Sequence, residues 1–332
     1  MSNIDCRHKV SSFLCGKANM TKRKKISVVL PSFNEEENIE RMYVEVAKLF
    51  KKQLKKYDYE IIFIDNDSKD KTRDIIRKIC KKDKRSKAIF NAKNFGQFNS
   101  PYYGLLNTSG DAAISMASDF QDPVELIPEF VKAWEEGYKI AIGIRKTSTD
   151  NFILRSIKKV YYDLINKFSN VDQIKMFTGF GLYDKDFVDV LRKLDDPTPF
   201  LRGIVAELGY RRKEIPFEQG KRTKGKTSNN FYTLYDAAML SFTSYTKIGL
   251  RIATFFGGIV LTISVIIAII YLIMKLIWWD RFQAGMIPML LGMLFLGSVQ
   301  ILFIGIIGEY VLAINQRSMK RPLVVEEERI NF

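Results

Sequence analysis

The chain has 332 residues, of which 47% are hydrophobic and 27% are charged, and this composition excludes a wholly disordered or collagen-like chain. Its 52 Lys and Arg residues against 37 Asp and Glu residues give a net charge of +15, which favours anionic partners such as phosphates, nucleic acid or an acidic membrane face. The single histidine, His8, and three cysteines without CxxC spacing give no support to a His-dependent triad, a zinc site or a disulfide framework.

Residues 1–25 are predicted to form a basic, polar tail that contains the run Lys22–Lys25. Such a run favours contact with anionic lipid. The tail lacks the apolar core of a signal peptide, so residues 1–250 are expected to stay in the cytoplasm.

Strands and helices alternate through the next part of the chain. Short β-prone runs predict strands at Ile26–Leu30, Ile61–Ile64, Ala88–Phe90, Asp111–Ala117 and Lys139–Ile144. The segments between them predict helices that begin near Ile39 and Asp70, at Pro101 and at Pro123. Asn34 with Glu37 is expected to cap the first helix. This alternation is typical of an α/β fold with a parallel sheet and helices on both faces.

Three polar clusters come directly after predicted strands, at Pro31–Glu35, Asp65–Asp67 and Asp119–Asp122. The carboxyl ends of parallel strands share one edge of the sheet, where ligands bind in such folds. We therefore expect the three clusters to meet there. Neither GxGxxG nor GxxxxGK[ST] occurs, so the usual dinucleotide and P-loop signatures are missing.

The segment Ser118–Pro123 places carboxylates and an amide at a strand end. Oxygen ligands of this kind suit Mg²⁺ or Mn²⁺, and such ions commonly hold phosphates as well. Aspartates before a proline-initiated helix are more often helix caps, so this pattern alone leaves both interpretations open.

A basic segment, Arg211–Lys226, separates this domain from residues 229–250, in which apolar and aromatic residues are interleaved with polar ones. That pattern favours an amphipathic helix lying in the membrane interface. An ordinary surface helix is the alternative.

Two uncharged stretches, Ile252–Met274 and Phe282–Gly308, are each long enough to cross a hydrocarbon core of about 30 Å as a helix. Trp278 and Trp279 between them suit an interfacial position, and Lys and Arg residues flank the outer ends. The sequence therefore predicts two transmembrane helices within residues 251–314 and a cytoplasmic C-terminal tail at residues 315–332. A pair of helices buried in a large soluble core is the alternative.

Several motifs together resemble a known family. They are VVLPSFNEEENI (Val28–Ile39), EIIFIDNDSKDKT (Glu60–Thr72), NFGQ (Asn94–Gln97), SGD (Ser109–Asp111), SDFQDPVE (Ser118–Glu125), GIRK (Gly143–Lys146), LRG (Leu201–Gly203), KRTKGKTSNN (Lys221–Asn230) and NQRSMKRP (Asn315–Pro322). With the two apolar stretches, they resemble glycosyltransferase family 2 from about residue 26 to 322, specifically the polyprenyl-phosphate glycosyltransferases akin to dolichyl-phosphate mannose synthase and bactoprenol glucosyltransferase.

This resemblance implies a GT-A fold, a Rossmann-like and mostly parallel sheet with helices on both faces, at residues 26–228, followed by a two-helix transmembrane hairpin. It implies that a nucleotide sugar is held by Pro31, Phe33, Glu35, Asp65, Asp67, Ser118 and Asp119, with Asp65 reading the base. Asp119 and Gln121 match ligands of a divalent ion, Mg²⁺ or Mn²⁺, on the diphosphate. Asp119, Arg145, Arg222 and Lys226 are the residues expected to act in catalysis.

Three positions depart from the family pattern. Ala117 stands where the first Asp of a DxD is usual, which leaves one fewer carboxylate for the metal. Asp65-Asn66-Asp67 replaces a common Asp-Asp-Gly. Gly179 stands where many relatives carry an acid near the acceptor.

The implied activity is inverting transfer of a sugar, with a UDP-sugar as the expected donor, to undecaprenyl or dolichyl phosphate. The product would be a lipid-linked sugar donor for cell-envelope glycan or glycoconjugate synthesis. Such an enzyme is expected in the cell (inner) membrane as a multi-pass protein with a cytoplasmic catalytic domain, and a homo-oligomer is compatible with the sequence. A processive synthase would need more spans and a QxxRW motif. A non-catalytic lipid-sugar-binding or scaffold protein with a degraded site is the other alternative, and a nucleic-acid partner is not expected.

Overall fold

The computed structural model describes residues 23–146, 174–220, 248–277, 286–319 and 321–332, together with Met239. Its strands are β1 (Lys25–Ser32), β2 (Asp58–Asp65), β3 (Ser86–Asn91), β4 (Ala112–Ser115), β5 (Ile140–Arg145), β6 (Phe177–Asp184), β7 (Arg212–Phe217) and β8 (Glu326–Ile330). Its helices are α1 (Ile39–Lys52), α2 (Thr72–Lys82), α3 (Gly96–Leu106), α4 (Ile127–Glu135), α5 (Lys185–Leu194), α6 (Leu201–Glu207), α7 (Ile248–Ile277) and α8 (Met286–Ser318).

The described strands form one eight-stranded sheet in the order β7-β5-β6-β4-β1-β2-β3-β8. Strand β1 runs parallel to β2 and to β4, and β2 runs parallel to β3. At the other end of the sheet, β7 runs parallel to β5. Strand β6 runs antiparallel between β4 and β5, and β8 runs antiparallel along β3. The prediction of a mostly parallel α/β sheet is confirmed.

Alternate residues of the central strands enter two hydrophobic cores, one on each face of the sheet. Val28 and Leu30 belong to the core that contains residues of α1, α2 and α4, whereas Val29 belongs to the core that contains residues of α3, α5 and α6. Since successive side chains of a strand point to opposite faces, a strand covered on both sides reads as one continuous apolar run. Helices therefore cover both faces, as the sequence predicts.

The predicted capping pair at the first helix is wrong. Helix α1 begins at Ile39, after Asn38. Asn34 lies in the left-handed region with φ 56°, and its side-chain oxygen accepts a hydrogen bond from the Lys69 amide at 2.8 Å. Asn34 therefore connects the loop after β1 to the loop after β2 instead of capping a helix.

The predicted start of the third helix at Pro101 is also wrong, because Pro101 lies inside α3. The helix begins at Gly96, whose amide donates to the side chain of Asn94 at 2.8 Å. The helix expected to open at Pro123 does begin there: a short 3-10 turn, Val124–Leu126, follows Pro123 and leads directly into α4.

Helices α7 and α8 are long, with 30 and 33 residues respectively. Among the residues that the structure describes, one helical stretch, Phe295–Ser318, is long and apolar enough to cross a membrane. Large apolar side chains on both helices are exposed, for example Phe255 at 71% and Ile301 at 72%. The predicted interfacial helix at residues 229–250 lies almost wholly outside the described residues, as does most of the N-terminal tail.

Candidate active site at the carboxyl edge of the sheet

The loops after β1, β2 and β4 meet at one edge of the sheet. Ser32 at the end of β1 is in register with Asp65 at the end of β2. The Ser32 hydroxyl lies 3.3 Å from the Ser118 hydroxyl, and Ser118 donates to the carbonyl of Pro31 at 2.8 Å. The structure thus brings together the three polar clusters that the sequence expects at this edge.

Each of these three loops contains a residue with positive φ. They are Asn34 (φ 56°), Asp67 (φ 68°) and Phe120 (φ 62°). Such backbone geometry is costly for residues other than glycine and concentrates at functional sites. Asp67 stands where the family commonly has glycine, and aspartate is one of the few side chains that adopt this geometry readily.

Asp65 is the most enclosed carboxylate at this edge, with no exposed surface. Its Oδ1 accepts from Arg73 Nε at 2.6 Å and from the Ser68 amide at 3.1 Å. Asp67, beside it, is paired with Lys69 at 2.7 Å. The position of Asp65 is therefore fixed by α2 and by its own turn.

Two further residues matched to the nucleotide, Phe33 and Glu35, lie in the loop after β1. Phe33 is half-buried, whereas Glu35 is buried. The Glu35 carboxylate accepts from the Asn38 side chain at 2.6 Å, and the Glu35 amide donates to the Thr72 hydroxyl at 2.8 Å. Since Thr72 begins α2, this loop is held directly against the start of that helix.

Asn66 stands where the family commonly has aspartate, and its side-chain amide both donates and accepts hydrogen bonds. Its Nδ2 donates to the Asn94 side chain at 2.8 Å and to the Gly96 carbonyl at 3.3 Å. Its Oδ1 accepts from the Asn91 side chain at 3.0 Å and from the Phe95 amide at 2.9 Å. An aspartate could also accept from Phe95, but it has no N–H to donate, so the contacts with Asn94 and Gly96 of the NFGQ motif require the asparagine.

The loop after β4 contains two aspartates in different environments. Asp119 Oδ1 accepts from the Gln121 amide at 3.1 Å. Asp122 is buried and accepts from the Ala117 amide at 2.9 Å. Burial raises the pKa of Asp122 to about 6, against the lowering effects of the Ala117 hydrogen bond and the charge of Arg145. Asp122 therefore braces the loop, and Arg145 is near enough to act on it electrostatically.

The donor set for a divalent ion is sparse. Over the described ranges, no three Asp, Glu, His or Cys side chains are grouped in a way that could hold a metal. Asp119 and Gln121 supply one carboxylate and one amide oxygen in the same loop. Mg²⁺ is usually bound through one or two carboxylates together with substrate phosphates and water. Asp119 and Gln121 fit an ion that arrives with a diphosphate, but not a preformed metal cage.

The chain after β7 returns to this loop. Arg145 at the end of β5 is in register with Phe217 at the end of β7. Three residues further on, the Gly220 amide donates to the Gln121 carbonyl at 3.3 Å. A Cβ atom on Gly220 would lie 2.7 Å from the Phe120 carbonyl oxygen, so only glycine permits this close approach. Arg222 and Lys226, both expected to act in catalysis, follow immediately but lie outside the described residues.

Sequence reasoning missed Arg73, which contacts Asp65 directly. A signal was present, because Arg73 lies in the first turn of α2. A cation there opposes the positive end of the helix dipole and is favourable only with an acidic partner.

At Gly179, where many relatives carry an acid, φ is 101°. That value disfavours any L-side chain, so the departure at this position is built into the backbone.

The comparisons place the chain among known proteins. Residues 27–191 match the model of glycosyl transferase family 2. The chain is 32% identical to a prophage bactoprenol glucosyl transferase homolog of Escherichia coli K12, over 90% of this chain and 97% of that protein. It is 32% identical to a bactoprenol glucosyl transferase of Shigella phage SfX, over 92% of this chain and 99% of that protein.

Two solved structures align with part of the chain at low identity. Mannosyl-3-phosphoglycerate synthase from Rubrobacter xylanophilus aligns with a TM-score of 0.47 and 16% identity, over 65% of this chain and 71% of that chain. Glucosyl-3-phosphoglycerate synthase from Mycobacterium tuberculosis, in complex with Mn²⁺, UDP and phosphoglyceric acid, aligns with a TM-score of 0.45 and 19% identity, over 66% of this chain and 76% of that chain.

Proposed function

Because the chain belongs to glycosyl transferase family 2 and is a glycosyltransferase with a GT-A sheet, we propose that it transfers one sugar from a nucleotide sugar to a polyprenyl phosphate. The observation that carries the proposal is that one chain joins the polar sheet edge to long helices with exposed apolar side chains. Relatives named bactoprenol glucosyl transferases align over nearly their whole length and over about nine-tenths of this chain, which supports a lipid acceptor.

On the donor side, we expect the nucleoside to lie along the loops after β1 and β2, against Pro31, Phe33, Glu35, Asp65 and Asp67. The support is the closeness of these loops and the burial of Asp65 and Glu35. The diphosphate would lie at the loop after β4, near Ser118 and Asp119. A UDP-sugar is the donor we propose.

Asp119 and Gln121 would hold a Mg²⁺ or Mn²⁺ ion. When bound, the ion supplies positive charge to the diphosphate leaving group. Arg145, at the end of β5, is near enough to lower the pKa of Asp122 in the same loop, and its guanidinium would add a further positive charge for the diphosphate. Arg222 follows Gly220 by two residues in the sequence, and we propose that it acts on the same phosphates.

The reaction needs no strong general base. A phosphate acceptor is already an anion, so its oxygen can attack the anomeric carbon while the bond from that carbon to the diphosphate oxygen breaks. The nucleoside diphosphate leaves with the electron pair, and attack from the opposite face inverts the anomeric configuration. The cations must therefore overcome the repulsion between two anions and orient them. The lack of a carboxylate at Gly179 is compatible with this chemistry.

Strand β8 supports a two-span topology. It follows α7 and α8 in the chain, yet it pairs with β3 of the catalytic sheet. A strand can join that sheet only on the same side of a membrane, so the chain must cross an even number of times between β7 and β8. With α8 as one span, α7 would be the other, giving a multi-pass protein of the inner membrane with its catalytic domain in the cytoplasm.

The test is to incubate the purified full-length protein with undecaprenyl phosphate, Mg²⁺ or Mn²⁺, and a panel of UDP- and GDP-sugars. We expect one donor to yield a lipid-linked sugar detectable by mass spectrometry. If no donor in the panel is consumed, the alternative of a non-catalytic lipid-sugar-binding protein is favoured instead.

A further inference from the structure

The C-terminal strand β8 lies beside the nucleotide end of the sheet. Its residue Glu326 is in register with Asn91, the last residue of β3, and Glu328 is in register with Phe90. Strand β3 itself neighbours β2, which ends at Asp65. A chain segment that follows the long apolar helices is therefore built into the wall of the candidate donor site.

Arg73 connects this strand to Asp65. Its Nε donates to Asp65 Oδ1 at 2.6 Å, one terminal nitrogen donates to the Asn91 carbonyl at 2.6 Å, and the other donates to Glu327 Oε2 at 2.7 Å. The Arg73 side chain is only 16% exposed. Its hydrogen bonds to Asp65 and Glu327 raise the pKa of Arg73, although burial opposes that shift. Arg73 therefore connects the buried carboxylate of Asp65 to β8, with Nε and both terminal nitrogens of its guanidinium in hydrogen bonds.

Asp65 depends on this link for its orientation. Asp65 Oδ1 is occupied by Arg73 and the Ser68 amide, whereas the buried Oδ2 accepts no hydrogen bond from the described residues. An oxygen in this position is an acceptor for an N–H group of a bound base. Because the guanidinium is planar and its donors have a fixed geometry, a shift of its far end at Glu327 also moves its near end at Asp65.

We propose that Glu327, acting through Arg73, is a positioning residue that sets the orientation of Asp65, so that this one contact of β8, rather than the docking of the strand as a whole, tunes nucleotide affinity. This inference rests on the proposed function, in which Asp65 contacts the nucleotide. By linkage, a ligand that prefers the oriented Asp65 also strengthens the docking of β8 to the same extent.

The neighbouring ion pair, between Glu328 and Arg77, provides a matched control. Glu328 lies on β8 next to Glu327, and Arg77 lies on α2 as Arg73 does. Glu328 accepts two hydrogen bonds from Arg77, at 3.0 and 2.8 Å. Arg77 stacks over Phe90 and pairs with Asp74 and Glu328, not with Asp65. Glu328→Gln therefore removes a comparable ion pair of β8 without touching the link to Asp65.

The experiment measures nucleotide binding to the full-length protein in detergent by titration calorimetry, using UDP and GDP in turn with Mg²⁺. For the nucleotide that binds wild type, Glu327→Gln should weaken binding by about threefold, the scale of an exposed ion pair, and raise the donor KM in parallel with little change in kcat. Glu328→Gln should stay close to wild type. Both variants should lower the thermal midpoint to a similar extent.

A second readout is hydrogen exchange at residues 326–330. The bound nucleotide should slow this exchange in wild type and in Glu328→Gln, but less in Glu327→Gln. Equal nucleotide affinities for the two variants would overturn the positioning role while leaving the proposed function intact. If wild type binds neither nucleotide, the proposed function is wrong and this inference is wrong with it.

Discussion

Asp119 and Asp122 lie in the same loop but have different roles in it. Asp122 is buried, accepts from the backbone of Ala117, and has a pKa raised to about 6 by burial. Asp119 has the Gln121 amide as a neighbour and lies at the end of the loop nearest to Ser118. Both carboxylates are buried, and the raised pKa of Asp122 is what distinguishes them; the role proposed for Asp119 at the diphosphate ion is tested by substitution.

Asp119→Asn should lower turnover by at least about 10²-fold, because the proposed ion would lose its one carboxylate ligand and the charge of that ligand. Initial rates of lipid-sugar formation measure the effect. Asp58→Asn, an exposed carboxylate at the opposite end of β2, is the matched control and should be as active as wild type. Wild-type activity of Asp119→Asn, or of wild type in excess chelator, would contradict the role.

Arg222→Lys should remain in the membrane but lose much of its transfer rate, and Arg222→Ala should lose more. A guanidinium can hold two phosphate oxygens at once, whereas an ammonium is a single point charge. Attraction to anionic lipid alone would contribute only about 1 kcal/mol of membrane binding per charge. Transfer kinetics in micelles without anionic lipid separate the two effects. Unchanged turnover of Arg222→Ala there would show that Arg222 is only a surface charge.

Glu60, at the opposite end of the sheet from the candidate site, is predicted to be a stability residue. It is buried and holds Lys25 at 2.7 Å and Lys87 at 2.8 Å, and it accepts from Ser27 at 2.6 Å. These hydrogen bonds lower the pKa of Glu60 from 4.5 to about 2, although burial opposes them. A lowered carboxyl pKa contributes stability above the unfolded value and loses it as the pH falls toward the folded value.

Glu60→Gln should therefore destabilise the protein by about 2 kcal/mol at neutral pH, on the scale of hydrogen bonds to a charged group. The difference from wild type should narrow as the pH falls from 4.5 toward 2. Thermal unfolding of both proteins across that range measures it. A difference that does not change with pH would mean that the charge of Glu60 contributes nothing.

At the scale of elements, strands β1 to β5 were predictable from the sequence, whereas the interior strand β6 and the edge strands β7 and β8 were not. Strands β1 and β2 are covered on both faces, so their continuous apolar runs are visible in the sequence. Strand β7 reads RKEIPF and β8 reads EEERI. Both lie at edges of the sheet, where charges and a proline are tolerated and discourage pairing with other chains. Strand β6 contains Gly179 and Gly181, which obscure its alternation of apolar and polar residues in the sequence.

The pairing of β8 with β3 was beyond prediction because it depends on tertiary partners. Arg73 and Arg77 of α2 neutralise Glu327 and Glu328, so a strongly acidic segment becomes a strand only against that helix. The capping and helix-start predictions failed for a related reason. Asn34 and Asn94 find partners that a local pattern does not reveal.

The proposed two-span topology predicts the labelling of two engineered cysteines. In a background without native cysteines, Trp279→Cys should react with an impermeant reagent applied outside the cell. Phe332→Cys should react only after the membrane is opened, because Phe332 follows β8 on the side of the catalytic sheet. Finding both sites on the same side would contradict the two-span topology.

At the scale of the whole molecule, the α/β class, the helices on both faces and the convergence of three loops follow from strand order and from the carboxyl-edge rule. The sequence motifs also identify the family that the comparisons show. The contacts that orient the site do not follow from them. Arg73 joins residues that are far apart in the chain, and Gly220 meets Phe120 only once β7 is in the sheet.

The most direct test of the central claim is the fate of two labels in one donor, one in the sugar and one in the phosphate next to the nucleoside. Transfer of the sugar alone to a polyprenyl phosphate predicts that the sugar label enters the organic phase with the lipid. The phosphate label should then stay in water as a nucleoside diphosphate. Release of a nucleoside monophosphate would contradict the account, because the bond broken would then lie between the two phosphates and not at the anomeric carbon.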